Sequence, residues 1–398
     1  MNKPKILVIT SSYPKYMGDI NGNFVYELAT RLKNDFEIFV LAPAYKDSLH
    51  FEINDEIKIY RHKQFLIKNV ELAYGIGIYE NLKRNKFKYF MLPFYFFFQF
   101  LLIKKLTQKE KITIIHAHWL IPNGFIAVLC KKILKIDFKI ISTIHGSDFW
   151  GYNNKLGNSL KKFTLNNIDT LTVVSNALKE KVIEFGYKNE VFVYPMGLDT
   201  TLFSPSKRDE SLKERLQILG PFLLFVGTII EQKGIRHLIQ ALPTVLKKIR
   251  DAKLVVIGDG NLKKGMGELT KKLKIEENVI FTGSIPHNEL PPYFATADLF
   301  ILPSFSEGLG LVIIEALSCK TLAITSNLEV IHDIICDNET GFFFEEINKD
   351  AISEKIITIL RNKGKFENIR EKGRQYVIEK FDWNIVKSNY CNLFKNII

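Results

Sequence analysis

Residues 303–325 read P-S-F-S-E-G-L-G-L-V-I-I-E-A-L-S-C-K-T-L-A-I-T. The apolar run Phe300, Ile301, Leu302 leads into them; Gly308 and Gly310 then break any period, and residues 311–317 return at helical spacing. The stretch predicts a strand end, a tight turn, a helix and a second strand. Glu307 falls in the mouth of the turn and Glu315 about two turns into the helix, with seven residues between them. Free N–H groups at a helix N-terminus attract anions, and carboxylates accept hydrogen bonds from hydroxyls. Amides for phosphate beside carboxylates for hydroxyls are the chemistry that holds a nucleotide sugar.

Working outward, the same rhythm recurs along the chain. Residues 5–10, 36–41, 139–144 and 170–174 are short, apolar and β-branched, as in strands buried on both faces of a parallel sheet. Residues 112–118 and 139–145 form strands that finish in His116-Ala117-His118 and in His145, each followed by a glycine-bearing turn. Ligands of open α/β sheets bind at such carboxyl edges. A loop containing Gly22 separates the first strand from a helix at 24–33, and Ser175 is an N-cap candidate for the helix that follows it. A Pro- and Gly-bearing joint spans 195–205. Beyond it come a strand ending at Gly227, the pair Lys233-Gly234 opening a helix, a Gly-Asp-Gly turn at 258–260 and a strand leading into the loop 282–286. A lysine so placed can meet a diphosphate as a point charge.

The Glu-x7-Glu stretch, with A-L-S-C after it, resembles the signature of the family-four retaining glycosyltransferases (group 1), and Lys233-Gly234, H-A-H-W and H-G-S-D resemble further segments of that family. The resemblance implies an α/β protein of two Rossmann-like, doubly wound domains facing across a cleft (the GT-B fold): an acceptor domain at 1–200, a nucleotide-sugar domain at 201–378, and a final helix at 379–398 crossing back. It implies Lys233 on the diphosphate, Gly308, Leu309, Gly310 and Leu311 on phosphate and sugar, Glu307 on sugar hydroxyls and Glu315 on the ribose. Gly22 and Thr228 would approach the donor, and Ser284 and Ile285 would read the nucleobase. His145 would face the transferred sugar, with His118 lining the same cleft and Asp148 near the acceptor or holding its loop. Thr228 stands where relatives commonly carry Arg, which leaves Lys233, the amides or Arg236 to replace it. Lys320, Leu322, Glu329 and Val330 also depart from the family's usual Gly and Pro.

Composition sets further bounds. With 398 residues and 46% hydrophobic content there is material for two full cores. The four cysteines are scattered, which fits a reduced, cytoplasmic protein without disulfides. No Asp-x-Asp pair occurs, and His116 and His118 lack a third ligand at useful spacing, so neither a metal nor another cofactor is expected. The net charge of +12 sits mostly in residues 1–205, with 28 Lys/Arg against 18 Asp/Glu. No nucleic-acid-binding pattern accompanies it. Residues 83–105, K-R-N-K-F-K-Y-F-M-L-P-F-Y-F-F-F-Q-F-L-L-I-K-K, hold an apolar core at 90–103 that reads as too short to span a bilayer. It is either a core helix or a patch inserted among anionic headgroups, and the basic flanks favour the patch.

The expectation is a metal-independent transferase moving a hexosyl-type sugar from a UDP- rather than a GDP-sugar to a lipid-linked or surface-polysaccharide acceptor. It would work at the inner face of the cell membrane. The competing expectations are a GT-B nucleotide-sugar epimerase and a non-catalytic nucleotide-sugar or membrane-scaffold protein. A Rossmann dehydrogenase is excluded by the lack of G-x-G-x-x-G.

Overall fold

A computed structural model describes residues 3–16, 19, 21–67, 71–74 and 77–398; part of the Gly22 loop, at 17, 18 and 20, therefore lies outside the description. The chain forms two compact units, one of residues 1–197 with 384–398 and one of residues 198–383.

The first unit is built on strands β1 (Lys5–Ile9), β2 (Glu37–Pro43), β3 (Phe51–Asn54), β4 (Ile57–His62), β5 (Ile114–His118), β6 (Lys139–Ile144), β7 (Thr170–Val173) and β8 (Val191–Val193). Their order is β3-β4-β2-β1-β5-β6-β7-β8, with β3 antiparallel to β4 and every other pair parallel. The central strands are buried along nearly their whole length because helices cover both faces, so their sequences are continuous apolar runs. Ser175 caps the helix Asn176–Glu184 by accepting from the Leu178 amide. The C-terminal helix Trp383–Ile397 packs into this unit: Phe394 lies against Phe36 at 5.6 Å, and Tyr390 against His116 at 5.3 Å.

The phenylalanine-rich segment is a helix, Leu92–Glu110, entered through a tight 3-10 turn, Lys86–Met91. It runs longer than the sequence reading allowed. Lys86–Glu110 reaches the length and composition of a membrane-crossing helix, with an 18-residue stretch of mean hydropathy 1.3. The fold nevertheless uses one stripe of it, Tyr95, Gln99, Ile103 and Leu106, as a layer of the first unit. The one polar residue of the apolar run 90–103 points inward: Gln99 Nε2 donates to Asn123 Oδ1 at 2.8 Å. Phe90 and Phe97 point outward and are exposed.

The second unit holds β9 (Phe222–Val226), β10 (Lys253–Ile257), β11 (Val279–Gly283), β12 (Leu299–Leu302), β13 (Leu322–Ser326) and β14 (Phe342–Phe344). They form an all-parallel sheet in the order β11-β10-β9-β12-β13-β14. In both sheets the direction of winding reverses at one point, between β1 and β5 in the first and between β9 and β12 in the second. Such a reversal leaves a crevice at the carboxyl ends of the two strands.

Candidate active site

In the second unit the loops after β9 and β12 meet at that crevice. Gly234 has a φ of 65°, and a Cβ there would stand 1.9 Å from the Pro303 carbonyl oxygen, so only glycine lets the two loops approach. The Phe305 amide donates to the Gln232 carbonyl at 2.8 Å and ties them together. The outcome is an ion pair, with Lys233 Nζ 2.7 Å from both carboxylate oxygens of Glu307. The Glu307 side chain is 6% exposed.

Gly310 (φ 81°) turns the chain into the helix Leu311–Ser318. The amides of Gly308 to Val312 find no acceptor among the described residues. They form the unsatisfied positive end that a helix start presents to an anion. Glu315 lies one turn into the helix rather than two, because the helix begins only at Leu311. It is buried; one carboxylate oxygen lies 2.8 Å from His287 Nε2 and the other has no partner among the described residues. A buried carboxylate oxygen without a donor is costly, and a ligand hydroxyl would supply the donor.

Ser284 is exposed and Ile285 half-buried in the loop after β11. Thr228 is exposed after Gly227, and Arg236 pairs with Glu231 at 3.7 Å. Two residues here escaped the sequence reading. His287, the partner of Glu315, is 28 positions away from it and only two past Ile285. Lys263 Nζ stands 3.5 Å from where a Cβ on Gly283 would be, at the mouth of the 282–286 loop, and pairs with Asp259 at 3.0 Å.

In the first unit, Gly22 (φ 71°) starts the helix Asn23–Leu32 and packs against the Ser12 carbonyl, which a Cβ would meet at 2.2 Å. The β5 and β6 ends carry the histidines. His118 Nδ1 and His145 Nε2 are 2.9 Å apart, and His145 is ringed by Phe24 at 5.1 Å and Trp119 at 4.8 Å. His118 itself is wholly buried, contrary to the expectation that it lines a cleft: it stands behind His145 and touches no open space. His116 lies deeper, bonded through Nε2 to Thr143 Oγ1 at 2.8 Å. Burial drives its pKa down to about 3, and burial together with the neighbouring imidazoles drives His118 well below its ordinary value. Both are neutral at physiological pH.

Asp148 lies just after β6. Its carboxylate accepts from the amides of Leu120 (2.6 Å), Gly146 (3.0 Å) and His145 (3.1 Å), and it is buried. Of the two roles expected of it, the structure supports holding the loop that presents His145; no oxygen faces an acceptor. Burial raises its pKa to about 6, with the amide bonds pulling the other way. Asn123, not foreseen, locks the other side by donating to the His118 carbonyl at 2.6 Å and to Ser11 Oγ at 3.0 Å. Among the described residues there is no group of three metal-ligating side chains.

These two edges have counterparts in known proteins. The model of "Glycosyltransferase Family 4" matches residues 22–202, and that of "Glycosyl transferases group 1" matches residues 207–376. The chain belongs to this glycosyltransferase family. Among curated relatives, the N-acetyl-alpha-D-glucosaminyl L-malate synthase of Bacillus anthracis is 26% identical over 79% of this chain and 82% of its own. Among solved structures, a sucrose-phosphate synthase from Thermosynechococcus elongatus superposes with a TM-score of 0.79 at 18% identity, covering 99% of both chains. Anabaena Alr3699/HepE, solved in complex with UDP and glucose, superposes at 0.73 and 16% identity over 99% of this chain and all of its own. The GT-B fold is therefore shared along the whole glycosyltransferase chain, and both E-x7-E carboxylates lie within the group 1 match.

Proposed function

We propose that this glycosyltransferase moves a hexosyl-type sugar from a nucleotide diphosphate sugar, UDP in preference to GDP, with retention at the anomeric carbon. The acceptor is a lipid-linked or cell-surface glycan, met at the inner face of the cell membrane. One observation carries the reading: at the reversal point of the second sheet, Lys233, the free amides of Gly308 to Val312 and the half-satisfied carboxylate of Glu315 stand together. A diphosphate needs the first two and a ribose the third.

In this reading the anomeric C–O bond breaks toward the diphosphate and leaves its electron pair there. The acceptor hydroxyl oxygen enters on the same face, and its proton passes to the departing diphosphate oxygen. The barrier falls through fixed charges and dipoles aimed at the leaving group and through positioning of the acceptor. Lys233 and the amides supply the positive potential that a divalent ion provides in metal-dependent transferases, so chelator is expected to leave the rate unchanged. Glu307, released by the lysine or sharing it, accepts from sugar hydroxyls, and the loop locked by Asp148 presents His145 to the sugar. The UDP preference draws on the UDP and glucose of the Anabaena structure's description. The membrane draws on the exposed Phe87, Phe90 and Phe97 beside Lys83, Arg84 and Lys86.

The test is saturation-transfer NMR against UDP- and GDP-sugars with wild type and Glu315→Ala. Binding of one donor class that is lost in the variant supports the reading; equal binding in both, or none in either, overturns it. Retention is read from the anomeric coupling of the product.

A further inference from the structure

A second cavity lies wholly within the first unit, away from the histidine edge. Its floor is one face of the β3–β4 hairpin. Glu52 pairs with Ile59 across the hairpin, and alternate residues of a strand share a face, so Glu52, Asn54, Ile59 and Arg61 all point the same way. The opposite wall is the loop after β1, carrying Tyr13 and Tyr16, and the first turn of the helix Asn23–Leu32, where Asn23 and Tyr26 sit three residues apart on one helix face. The space between is about 240 Å³, room for a single pyranose ring.

The chemistry of this lining is selective. Tyr16 and Tyr26 offer flat apolar faces over the buried Tyr13, and Glu52 and Asn54 offer planar hydrogen-bonding groups. The cations are already engaged. Arg61 gives Nε and a terminal nitrogen to Glu52 Oε1, both at 3.0 Å, another to Tyr74 Oη at 3.0 Å, and contacts the Pro14 carbonyl at 2.9 Å. Lys15 Nζ pairs with Glu71 at 3.1 Å. Glu52 Oε2 and the Asn54 amide have no partner among the described residues. A phosphate or carboxylate would find no free cation and one free carboxylate, whereas a neutral polyol would find acceptors for its hydroxyls and ring faces for its C–H edges.

We infer that this cavity between the β3–β4 hairpin and the loop after β1 binds one neutral sugar residue, as a secondary subsite for a glycan acceptor. It rests on the glycan-acceptor reading above, because a neutral sugar in the first unit would be part of the acceptor.

The experiment uses the full chain and three probes, methyl α-D-glucopyranoside, methyl α-D-mannopyranoside and the methyl glycoside of N-acetylglucosamine, read by saturation-transfer NMR. Glycerol and inorganic phosphate serve as comparison ligands. At least one glycoside is expected to bind, unaffected by added phosphate. Affinity should fall about tenfold in Glu52→Gln, as one hydrogen bond to a charged group is weakened, and measurably in Asn54→Ala. Asn54 is exposed and its amide holds nothing in place, so that second variant separates lost binding from lost folding. No binding by any glycoside, equal binding in wild type and both variants, or displacement by phosphate overturns the subsite. UDP-sugar binding by Glu52→Gln is expected to match wild type. Glycoside binding without any donor binding would keep the subsite and sink the transferase reading instead.

Discussion

At the carboxyl edge of the first sheet, three imidazoles stack in sequence, His116 to His118 at 4.3 Å and His118 to His145 at 5.2 Å between ring centroids. They sit on a buried carboxylate whose oxygens are taken up by backbone amides. At the same edge of the second sheet, Lys233 and Glu307 form an ion pair, and Glu315 keeps one oxygen unsatisfied. The first edge is neutral, with its carboxylate fully bonded and two buried ring nitrogens, His116 Nδ1 and His118 Nε2, without partners among the described residues; the second pairs a lysine with a carboxylate and leaves Glu315 half-satisfied. Burial depth makes the difference. Histidine tolerates burial by shedding its proton, which suits a surface that positions a neutral sugar. Lys233, with its side chain 22% exposed, stays within reach of an anion.

The comparison breaks most sharply at Lys233. Lys233→Ala is expected to lower kcat by about 10²- to 10³-fold, the effect of removing one preorganised group that stabilises a leaving charge. The substitution also strands Glu307, so Lys233→Ala/Glu307→Gln belongs beside it. The double variant should regain melting temperature and stay slow. A double variant with restored turnover would show that the lysine serves only to neutralise its partner.

Next in size is Gly234→Ala. A left-handed φ and a 1.9 Å overlap with the Pro303 carbonyl cannot both be relieved without parting the two loops. A loss of about 2–3 kcal/mol in urea unfolding is expected, together with weaker donor binding. Gly265 has open space around it and an ordinary φ, so Gly265→Ala should be neutral or slightly stabilising.

These two effects also mark where sequence reading reached and where it stopped. The β–α rhythm was legible because strands buried on both faces have to be apolar throughout, and the turns showed through Gly22, Gly227, Gly234 and Gly310. What it missed depends on contacts between distant positions: His287 on Glu315, Gly234 on Pro303, Gln99 on Asn123. The Phe-rich helix misled because the polar residue of its apolar run faces inward, the reverse of the usual pattern. The β3–β4 hairpin passed unread although residues 57–62 alternate in burial over their first half, a period of two that was there to be found. His118 was placed at the right edge but one layer too far out, since nothing in H-A-H-W records depth; of the two roles open to Asp148, its amide bonds fill the loop-holding one.

The neutral edge makes its own mark in acid. His116 and His145 are held down to about 3, His62 to about 4 and His118 well below 6.5, all chiefly by burial. Unfolded, each takes up a proton near 6.5. Below that pH the unfolded chain binds more protons, so stability falls as pH drops from 6.5 toward 4. Asp148 works against this: held up to about 6, it binds a proton in the folded state before the unfolded carboxyl does near 3.8, and adds stability over that window. Four imidazoles against one carboxyl leave a net loss, about 1.4 kcal/mol per pH unit for each uncompensated proton. Urea midpoints at pH 7.5 and 5.0 measure it, and His116→Gln should flatten the slope by about one proton.

The smallest effect expected is at the outer face of the Phe-rich helix. Phe90, Phe97 and Leu101 lie at i, i+7 and i+11, one exposed line along the helix, with Lys83, Arg84 and Lys86 before it and Lys104 and Lys105 after it. Phe96 and Phe98 are half-buried; Phe96 packs on Phe125 at 6.1 Å, so altering it would disturb the unit itself. Phe90→Ser with Phe97→Ser is therefore the clean variant. Full burial of a phenylalanine contributes about 1.5–3 kcal/mol, and shallow insertion among headgroups would realise part of that. Partitioning onto vesicles containing anionic lipid should fall roughly 5- to 10-fold, with melting temperature and donor binding unchanged. Salt should weaken what remains in the variant, since that part is the lysines' attraction to the surface. Unchanged partitioning would return the helix to a purely internal role, leaving the basic excess of the first unit to be explained by the acceptor alone.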